Sequence, residues 1–270
     1  MKRHELMSYR YTMTHPSLSR AATSSSLRFD AVDALRGLAM VWMTVFHFSF
    51  DLNQFGYIKQ DFYHAPLWTW QRTLIVSLFL FCAGLGQAIA VAQGQRWPRF
   101  WRRWAQVLGC ALLVTVGSWW MFPQSYIYFG VLHGMALMLI IARLTAHWGG
   151  RLWWMGVCAI AIQLIVSYTL QTGASAQLAE ILNAPQLNWL GLITRKPITE
   201  DYVPLLPWLG VMWWGVAAGT WLTRHGAALS WPLPAAFKPL AMLGRWSLSY
   251  YMLHQPVLLG GLMAVGWLAK

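Results

Sequence analysis

Two ionisable side chains lie one helical turn apart in the first apolar stretch of the chain, VDALRGLAMVWMTVFHFSFDL, which runs from Val32 to Leu52. They are His47 and Asp51, and their i, i+4 spacing places both on one face of a helix. In that arrangement a carboxylate can hold one imidazole nitrogen while the other nitrogen accepts or donates a proton. The spacing therefore predicts a general base oriented by an acid, although a buried polar pair that only fixes helix packing has the same pattern.

The segments that must position this pair have the amino-acid composition of membrane-spanning helices. The chain is 57% hydrophobic and only 10% charged, whereas soluble domains carry roughly 25% charged residues. The 19 Trp residues also suit a bilayer, where indole rings gather at both interfaces. A histidine and a carboxylate within hydrocarbon are costly unless they have partners or a wet cavity, so they mark a candidate functional site.

Seven apolar segments reach the length of about 20 residues that a spanning helix needs. We predict them at 33–52, 72–92, 104–121, 127–146, 152–170, 204–223 and 246–268. The predicted fold is an all-α, polytopic membrane bundle of about seven transmembrane helices, formed by residues 29–270. Residues 1–28 are polar and have no apolar periodicity, which predicts a disordered cytoplasmic tail.

Positive charge sets the expected orientation. With the amino terminus in the cytoplasm, fifteen of the 20 Lys and Arg residues fall on the cytoplasmic side, as the positive-inside rule requires. The net charge of +12 has the same explanation, because basic flanking segments face anionic lipid. We therefore expect the lipid bilayer as a partner and no nucleic acid.

Further polar residues approach the outer side in this orientation, where His47 and Asp51 occupy the outer half of the first span. They are Asp61, His64, Arg72 and His133. These residues would converge on one outward-facing pocket if their helices are neighbours. His254 lies deeper, in the last span. Taken alone, His133 and His254 are each explained as hydrogen-bonded core histidines.

Arginines gather on the predicted cytoplasmic side. Arg36 follows Asp33 by three residues, a spacing typical of an ion pair at a helix start with a snorkelling arginine. Alternatively, Arg36 offers a bidentate donor to phosphate, as a coenzyme bound from the cytoplasm needs. Arg99, Arg102 and Arg103, in RFWRRW, have the same two explanations, and contact with anionic lipid is the simpler one.

Two glycine-rich stretches predict close helix packing. They are CAGLGQAIA, from Cys82, and GGLMAVG, from Gly260. Small residues let helix backbones approach closely within a membrane. Neither stretch has the strand–turn–helix context of a nucleotide-binding loop.

Six segments carry a resemblance to a known family, in order from about Asp30 to the end of the chain. They are DALRGLAM, FHFSFDL, SLFLFCAGLGQAIA, YFGVLHGMAL, DYVPLLPWLG and LGRWSLSYYMLHQPV. With them the chain resembles the bacterial relatives of heparan-α-glucosaminide N-acetyltransferase, within the transmembrane acyltransferase superfamily. The resemblance implies an integral membrane enzyme that takes an acetyl group from cytoplasmic acetyl-CoA and delivers it to a sugar on the far side.

The resemblance implies two different catalytic histidines. In the lysosomal members the histidine lies in the outer loop after the first span, which maps onto His64. In the wider superfamily it lies eleven positions after the arginine of the first span, and Arg36 and His47 show that spacing. The lysosomal enzyme carries Asn at the position that matches His47, so the two schemes disagree. We assign both histidines and prefer His47 with Asp51 on physical grounds.

The function expected from residues and resemblance together is acetyl transfer within a bacterial inner membrane. Acetyl-CoA is the donor, and the acceptor is a sugar amine or hydroxyl of an envelope glycan or glycolipid. The catalytic candidates are His47, His64, Asp51 and, as the oxyanion donor, Arg72. The coenzyme-binding candidates are Arg36, Arg99, Arg102, Arg103, His133 and His254. This chemistry requires no metal, and a homodimer is left open.

The alternative function is a proton-coupled transporter or exporter, in which the same His/Asp pair serves as a proton relay. An inverted repeat would favour that class. No such repeat is evident in the sequence.

Overall fold

The computed structural model describes residues 29–173, 175–225 and 233–268. The predicted tail, 1–28, lies outside these residues. The described residues form nine α-helices, which are α1 Asp30–Gln54, α2 Pro66–Ala92, α3 Trp97–Met121, α4 Val131–Thr145, α5 Arg151–Gln171, α6 Ala176–Asn183, α7 Trp208–His225, α8 Lys238–Arg245 and α9 Ser247–Leu268. No β-strand forms within them apart from one isolated bridge between Phe129 and Tyr202.

The predicted class, a helical polytopic membrane protein, is confirmed. Five helices of the described part are long and apolar enough to cross a membrane: α1, α2, α3, α4 with the 3-10 turn that follows it, and α5. The other two predicted spans coincide with α7 and α9, of 18 and 22 residues, which are not among those five. Arg224 and His225 at the end of α7, and the polar His254 and Gln255 in α9, lower the mean hydropathy of these two helices.

Two helices begin earlier than the apolar pattern predicts. Helix α2 starts at Pro66 rather than near 72, and α3 starts at Trp97, followed by Pro98, rather than near 104. Proline favours the first helical turn because its missing N–H has no intrahelical partner there. Both helices therefore extend beyond their apolar segments, and the first turns of α3 carry the arginine cluster.

Helices α2 and α7 form the most extensive pair, and α5 packs on the other side of α7. Helix α1 packs on α2, α8 and α9, while α3 packs mainly on α4. One apolar core lies among α2, α4, α5 and α7, and includes the fully buried Leu80, Met138 and Met212. A second core joins α1 to α2 and includes Met43 and Phe79. Helix α1 is thus held from several sides, which fixes the side chains it presents to α9.

Glycine allows the closest of these approaches. A Cβ at Gly84 of α2 would collide with the backbone oxygen of Met212, and one at Gly215 of α7 would collide with the backbone of Phe81. The packing role predicted for CAGLGQAIA is therefore confirmed. The packing role predicted for GGLMAVG is wrong at Gly260 and Gly261, because these two positions face open space and a Cβ there would meet no atom of the described residues within 4 Å.

The connections between helices segregate to two ends of the bundle. The loop end contains the connections 55–65, 122–130 and 172–207. The basic end contains the start of α1, the connections 93–96 and 146–150, and α8. At the loop end, Ser125 Oγ donates to Glu200 Oε1 at 2.5 Å and Val131 N donates to Asp201 Oδ2 at 2.7 Å. These bonds tie the second loop to the third.

Candidate functional site

A line of polar side chains runs through the interface between α1 and α9, and we call it the polar seam. Its members are Thr44, His47, Asp51, Tyr250, His254 and Gln255. The α1 members are spaced by three and four residues, which keeps them on one face of that helix. Polar side chains placed in this way inside a membrane bundle are costly, so the seam is the leading candidate site.

Three cross-helix contacts build the seam. Thr44 Oγ1 and Tyr250 Oη lie 2.7 Å apart and share a hydrogen bond. The rings of His47 and His254 meet edge to face, with centroids 5.2 Å apart. Gln255 Nε2 donates to Asp51 Oδ1 at 2.8 Å. Hydrogen bonds on either side of the two histidines thus hold their rings in register across the interface.

Several buried polar atoms of the seam have no hydrogen-bond partner in the protein. They are Asp51 Oδ2, His254 Nε2 and Gln255 Oε1, which are three of the five such side-chain atoms in the part of the chain that the structure describes. A buried polar atom left unpaired costs about 1–3 kcal/mol. Because all three atoms belong to residues of the seam, they indicate that a water or a ligand enters the interface between α1 and α9.

The orientation of His47 by Asp51 that the i, i+4 spacing predicts is not seen. Asp51 is 2% exposed and accepts its hydrogen bond from Gln255. The described part of the chain contains no hydrogen bond between Asp51 and His47. The amide on the facing helix satisfies the carboxylate instead. Asp51 thus fixes α9 against α1 one turn beyond His47, and its second oxygen is one of the unpaired atoms.

His64 lies at the loop end, where its ring is 86% exposed. Its Nδ1 lies 3.1 Å from each oxygen of Asp61, three residues earlier in the chain. Asp61 also accepts from the backbone N–H of Tyr63 and His64, so the segment is a turn rather than a helix. The backbone bond from His64 is the main reason that the pKa of Asp61 lies below its usual range. The structure does not bring His64 into the polar seam.

His133 also lies outside the seam. Its Nδ1 accepts from Gly130 N–H at the start of α4, and its Nε2 lies 3.0 Å from Thr115 Oγ1 on α3. Since Thr115 Oγ1 donates to Ile127 O, the ring N–H of His133 donates to Thr115. Both ring nitrogens are therefore used to join α3 to α4, which matches the core-histidine explanation.

Arg72 faces charges of the loop end. Burial is the main cause of the lowered pKa of Lys196, and the positive charge of Arg72 lowers that pKa further. The charges of Arg72 and Lys196 also act on Asp201, in the direction that lowers its pKa. Burial is the main cause of the raised pKa of Asp201. These neighbours give no support to Arg72 as an oxyanion donor in the seam.

At the basic end, Arg36 forms the ion pair with Asp33 that its spacing suggests, at 2.9 Å. Arg245 of α8 continues the network, since its Nη2 lies 2.6 Å from Asp30 and its Nε lies 3.6 Å from Asp33. Arg36 Nη1 also donates to Gly244 O at 3.4 Å. The helix-start explanation of Arg36 is therefore seen directly, and the guanidinium lies at the junction of α1 and α8.

The arginine cluster of α3 lies exposed at the same end. Its members are Arg99, Arg102 and Arg103. A further arginine, Arg143 of α4, was not singled out from the sequence. Its guanidinium donates to Gln95 O and lies over the rings of Trp97 and Phe100, at 5.2 and 5.6 Å from their centroids. Arg143 therefore ties α4 to the start of α3 and keeps the exposed cluster in place.

The sequence reasoning also missed the α9 partners of the seam. Tyr250 precedes His254 by four residues, and Gln255 is a polar residue within a long apolar helix. Both were visible as exceptions to the apolar pattern. Their pairing with α1 was not visible, because the sequence does not state which helices are neighbours.

Comparison with known families gives one match, and it covers most of the chain. The model of the family described as "Heparan-alpha-glucosaminide N-acetyltransferase, catalytic" matches residues 28–256. Every residue of the polar seam lies within this range. Neither the curated proteins nor the solved structures yielded a significant match.

Proposed function

Because this chain belongs to the family of heparan-alpha-glucosaminide N-acetyltransferase catalytic domains, we propose that it transfers the acetyl group of acetyl-CoA to a sugar at the polar seam. Membership makes it a membrane acetyltransferase. The acetyl-CoA donor, the sugar acceptor and the position of the reaction are the proposal. The observation that carries the position is the set of unpaired buried atoms on Asp51, His254 and Gln255, together with the contact between the His254 and His47 rings.

The donor would approach from the basic end. Arg36 and the cluster Arg99–Arg103 supply positive charge there, and arginine binds phosphate groups with paired N–H donors. His47 follows Arg36 by eleven residues in α1, which is about 16 Å along the helix. An extended pantetheine arm reaches a comparable distance. This geometry supports a coenzyme whose phosphates stay at the basic end while its thioester reaches the seam.

We place the chemistry at His47 rather than at His64. His47 lies half-buried in the interface, with its ring against those of Phe46 and His254, and partial exclusion of water strengthens catalysis by a positioned histidine. His64 is 86% exposed in a loop. His47 either deprotonates the incoming hydroxyl or amine or carries the acetyl group itself in a two-step reaction.

The acceptor would approach from the loop end. The second and third loops pack against each other there. The ends of α1 and α9 therefore remain accessible beside the first loop, which follows α1 directly. With the basic end in the cytoplasm, this is the outer face of a bacterial inner membrane. The proposed acceptor is therefore a sugar of an envelope glycan or glycolipid.

The proposal is tested with purified protein, radiolabelled acetyl-CoA and a panel of envelope glycolipids and amino sugars. We expect label to pass to an acceptor with release of one CoA thiol per transfer, and acetyl-CoA alone to raise the unfolding temperature. Ligand at 100 times its Kd stabilises a protein by about 2.7 kcal/mol. A proton-coupled transporter would show neither result, and their joint absence would overturn the proposal.

A further inference from the structure

We infer that His254, on α9, is a second catalytic residue of the seam and takes the proton of the attacking sugar group. This inference rests on the proposed function. It concerns the role of one side chain, whereas the proposed function concerns the reaction as a whole.

The hydrogen bond of His254 determines which of its nitrogens carries a proton. Its Nδ1 lies 2.6 Å from the backbone oxygen of Tyr251. A carbonyl oxygen can only accept, so Nδ1 must donate and therefore bears the hydrogen. In the neutral ring Nε2 is then left with a lone pair, which is the form that a general base needs. The backbone of α9 thus sets the tautomer of His254.

The lone pair of Nε2 is buried and unpaired. His254 is 8% exposed, and its Nε2 has no hydrogen-bond partner in the described part of the chain. Asp51 Oδ2 and Gln255 Oε1 are the other unpaired atoms of the seam. All three are hydrogen-bond acceptors, so a group that satisfies any one of them must bring an O–H or N–H donor. A sugar hydroxyl or amine does so, whereas the acetyl thioester, which has only acceptors, does not.

Neighbouring side chains hold the His254 ring in place. The Tyr250 ring lies parallel to it, within 9° and with centroids 6.1 Å apart, while the His47 ring meets it edge to face at 5.2 Å. Tyr250 is itself bonded to Thr44 of α1. A base whose position is fixed before the substrate binds loses little entropy in the reaction. The ring can therefore address a group that lies between the two helices.

The proposed step balances as follows. The sugar oxygen or nitrogen forms a bond to the acetyl carbon, and its proton goes to Nε2 of His254. In the two-step reaction the acetyl carbon is already bonded to a His47 nitrogen, because the carbon–sulfur bond of the thioester broke in the first step and its electron pair left with sulfur. The bond between the acetyl carbon and His47 now breaks, and its electron pair returns to that nitrogen. The proton then passes from Nε2 to the CoA sulfur. The products are the acetylated sugar and the CoA thiol, and His254 is neutral again.

A purely structural role for His254 predicts a different outcome from mutagenesis. If the ring only donates to Tyr251 O and fills space, then His254→Asn should be tolerated, because the shorter amide N–H can still donate to that oxygen. The same variant has no acceptor at the position of Nε2. His254→Asn therefore separates the base from the packing residue.

The experiment measures CoA release and acetyl transfer by wild type, His254→Asn and His254→Ala, with His225→Gln as the control. His225 is an exposed histidine that stacks on Trp221, remote from the seam in sequence and helix. We expect His254→Asn to lose about 10²–10⁴-fold in kcat, with its acetyl-CoA-induced thermal shift retained. We expect added imidazole to restore part of the turnover of His254→Ala, and His225→Gln to match wild type.

Each other outcome has a definite meaning. A His254→Asn variant that keeps wild-type turnover overturns the inference. If that variant fails to fold, a His254→Ala variant that imidazole does not rescue overturns it. If wild type itself transfers no acetyl group to any acceptor, the proposed function fails as well, so the two failures are distinguishable.

Discussion

Asp51 is 2% exposed, yet among the described residues only one of its two carboxylate oxygens has a hydrogen-bond partner. Removing a carboxylate from water is expensive, and one hydrogen bond from a neutral amide does not offset that cost. An Asn would accept the same bond from Gln255 without the buried charge. The side chain at this position is therefore not the one that stability alone would select, which is typical of a residue kept for function.

The first prediction concerns this residue. Asp51→Asn should unfold at a temperature no lower than wild type, because a buried charge is removed while the bond to Gln255 is kept. Its kcat should fall by about tenfold or more, because the charge beside the two histidines is lost. Thermal unfolding in detergent and CoA release measure the two effects. A variant with lower stability and normal kcat would identify Asp51 as a packing residue.

At the scale of helices, the close contact between α2 and α7 depends on Gly84, where the α7 backbone leaves no room for a Cβ. Gly260 of α9 is the opposite case, because only open space surrounds the position that its Cβ would take. We expect Gly84→Ala to destabilise the bundle by about 1–3 kcal/mol through overpacking. Gly260→Ala should be neutral or stabilising by up to about 1 kcal/mol, because alanine is the better helix former.

The unfolding midpoints of these two variants in one detergent measure the difference directly. Gly260→Ala is the matched control, since it makes the same chemical change within a helix. Equal losses in the two variants would contradict the packing described for α2 and α7.

Sequence patterns predicted single helices well and their neighbours poorly. The facing of His47 and Asp51 follows from helical periodicity within α1, and it was predicted. The contact of Asp51 with Gln255 joins residues 204 positions apart, so no local pattern contains it. The early starts of α2 and α3 were missed because these helices begin outside the apolar segments, with Pro66 and Pro98 in their first turns. Hydropathy marks the apolar part of a helix and does not indicate where the helix itself begins.

At the scale of the whole molecule, the distribution of charge and the lengths of the connections distinguish the same two ends of the bundle. The basic end carries Arg36, the arginines of α3 and Arg245, and the long loops lie at the other end. Under the positive-inside rule we expect the basic end to face the cytoplasm. The donor and acceptor would therefore reach the polar seam from opposite sides of the membrane, and neither would have to cross it.

This orientation is tested with single cysteines introduced at two exposed positions, Lys59 of the first loop and Arg96 at the start of α3. In intact cells a membrane-impermeant thiol reagent should label the Lys59→Cys variant. It should label Arg96→Cys only after the membrane is permeabilised. The native protein, with its own three cysteines, provides the background. Labelling of both variants in intact cells, or of Arg96→Cys alone, would contradict the orientation.

The most direct test of the seam as the place of acetyl transfer compares His47→Ala with His64→Ala in the same assay of CoA release at saturating acetyl-CoA. The polar seam predicts that His47→Ala loses at least about 10²-fold in kcat while acetyl-CoA still raises its unfolding temperature. It predicts that His64→Ala, altered at an exposed loop residue, stays close to wild type. Normal turnover by His47→Ala together with an inactive His64→Ala would place the chemistry at the loop end and contradict this account.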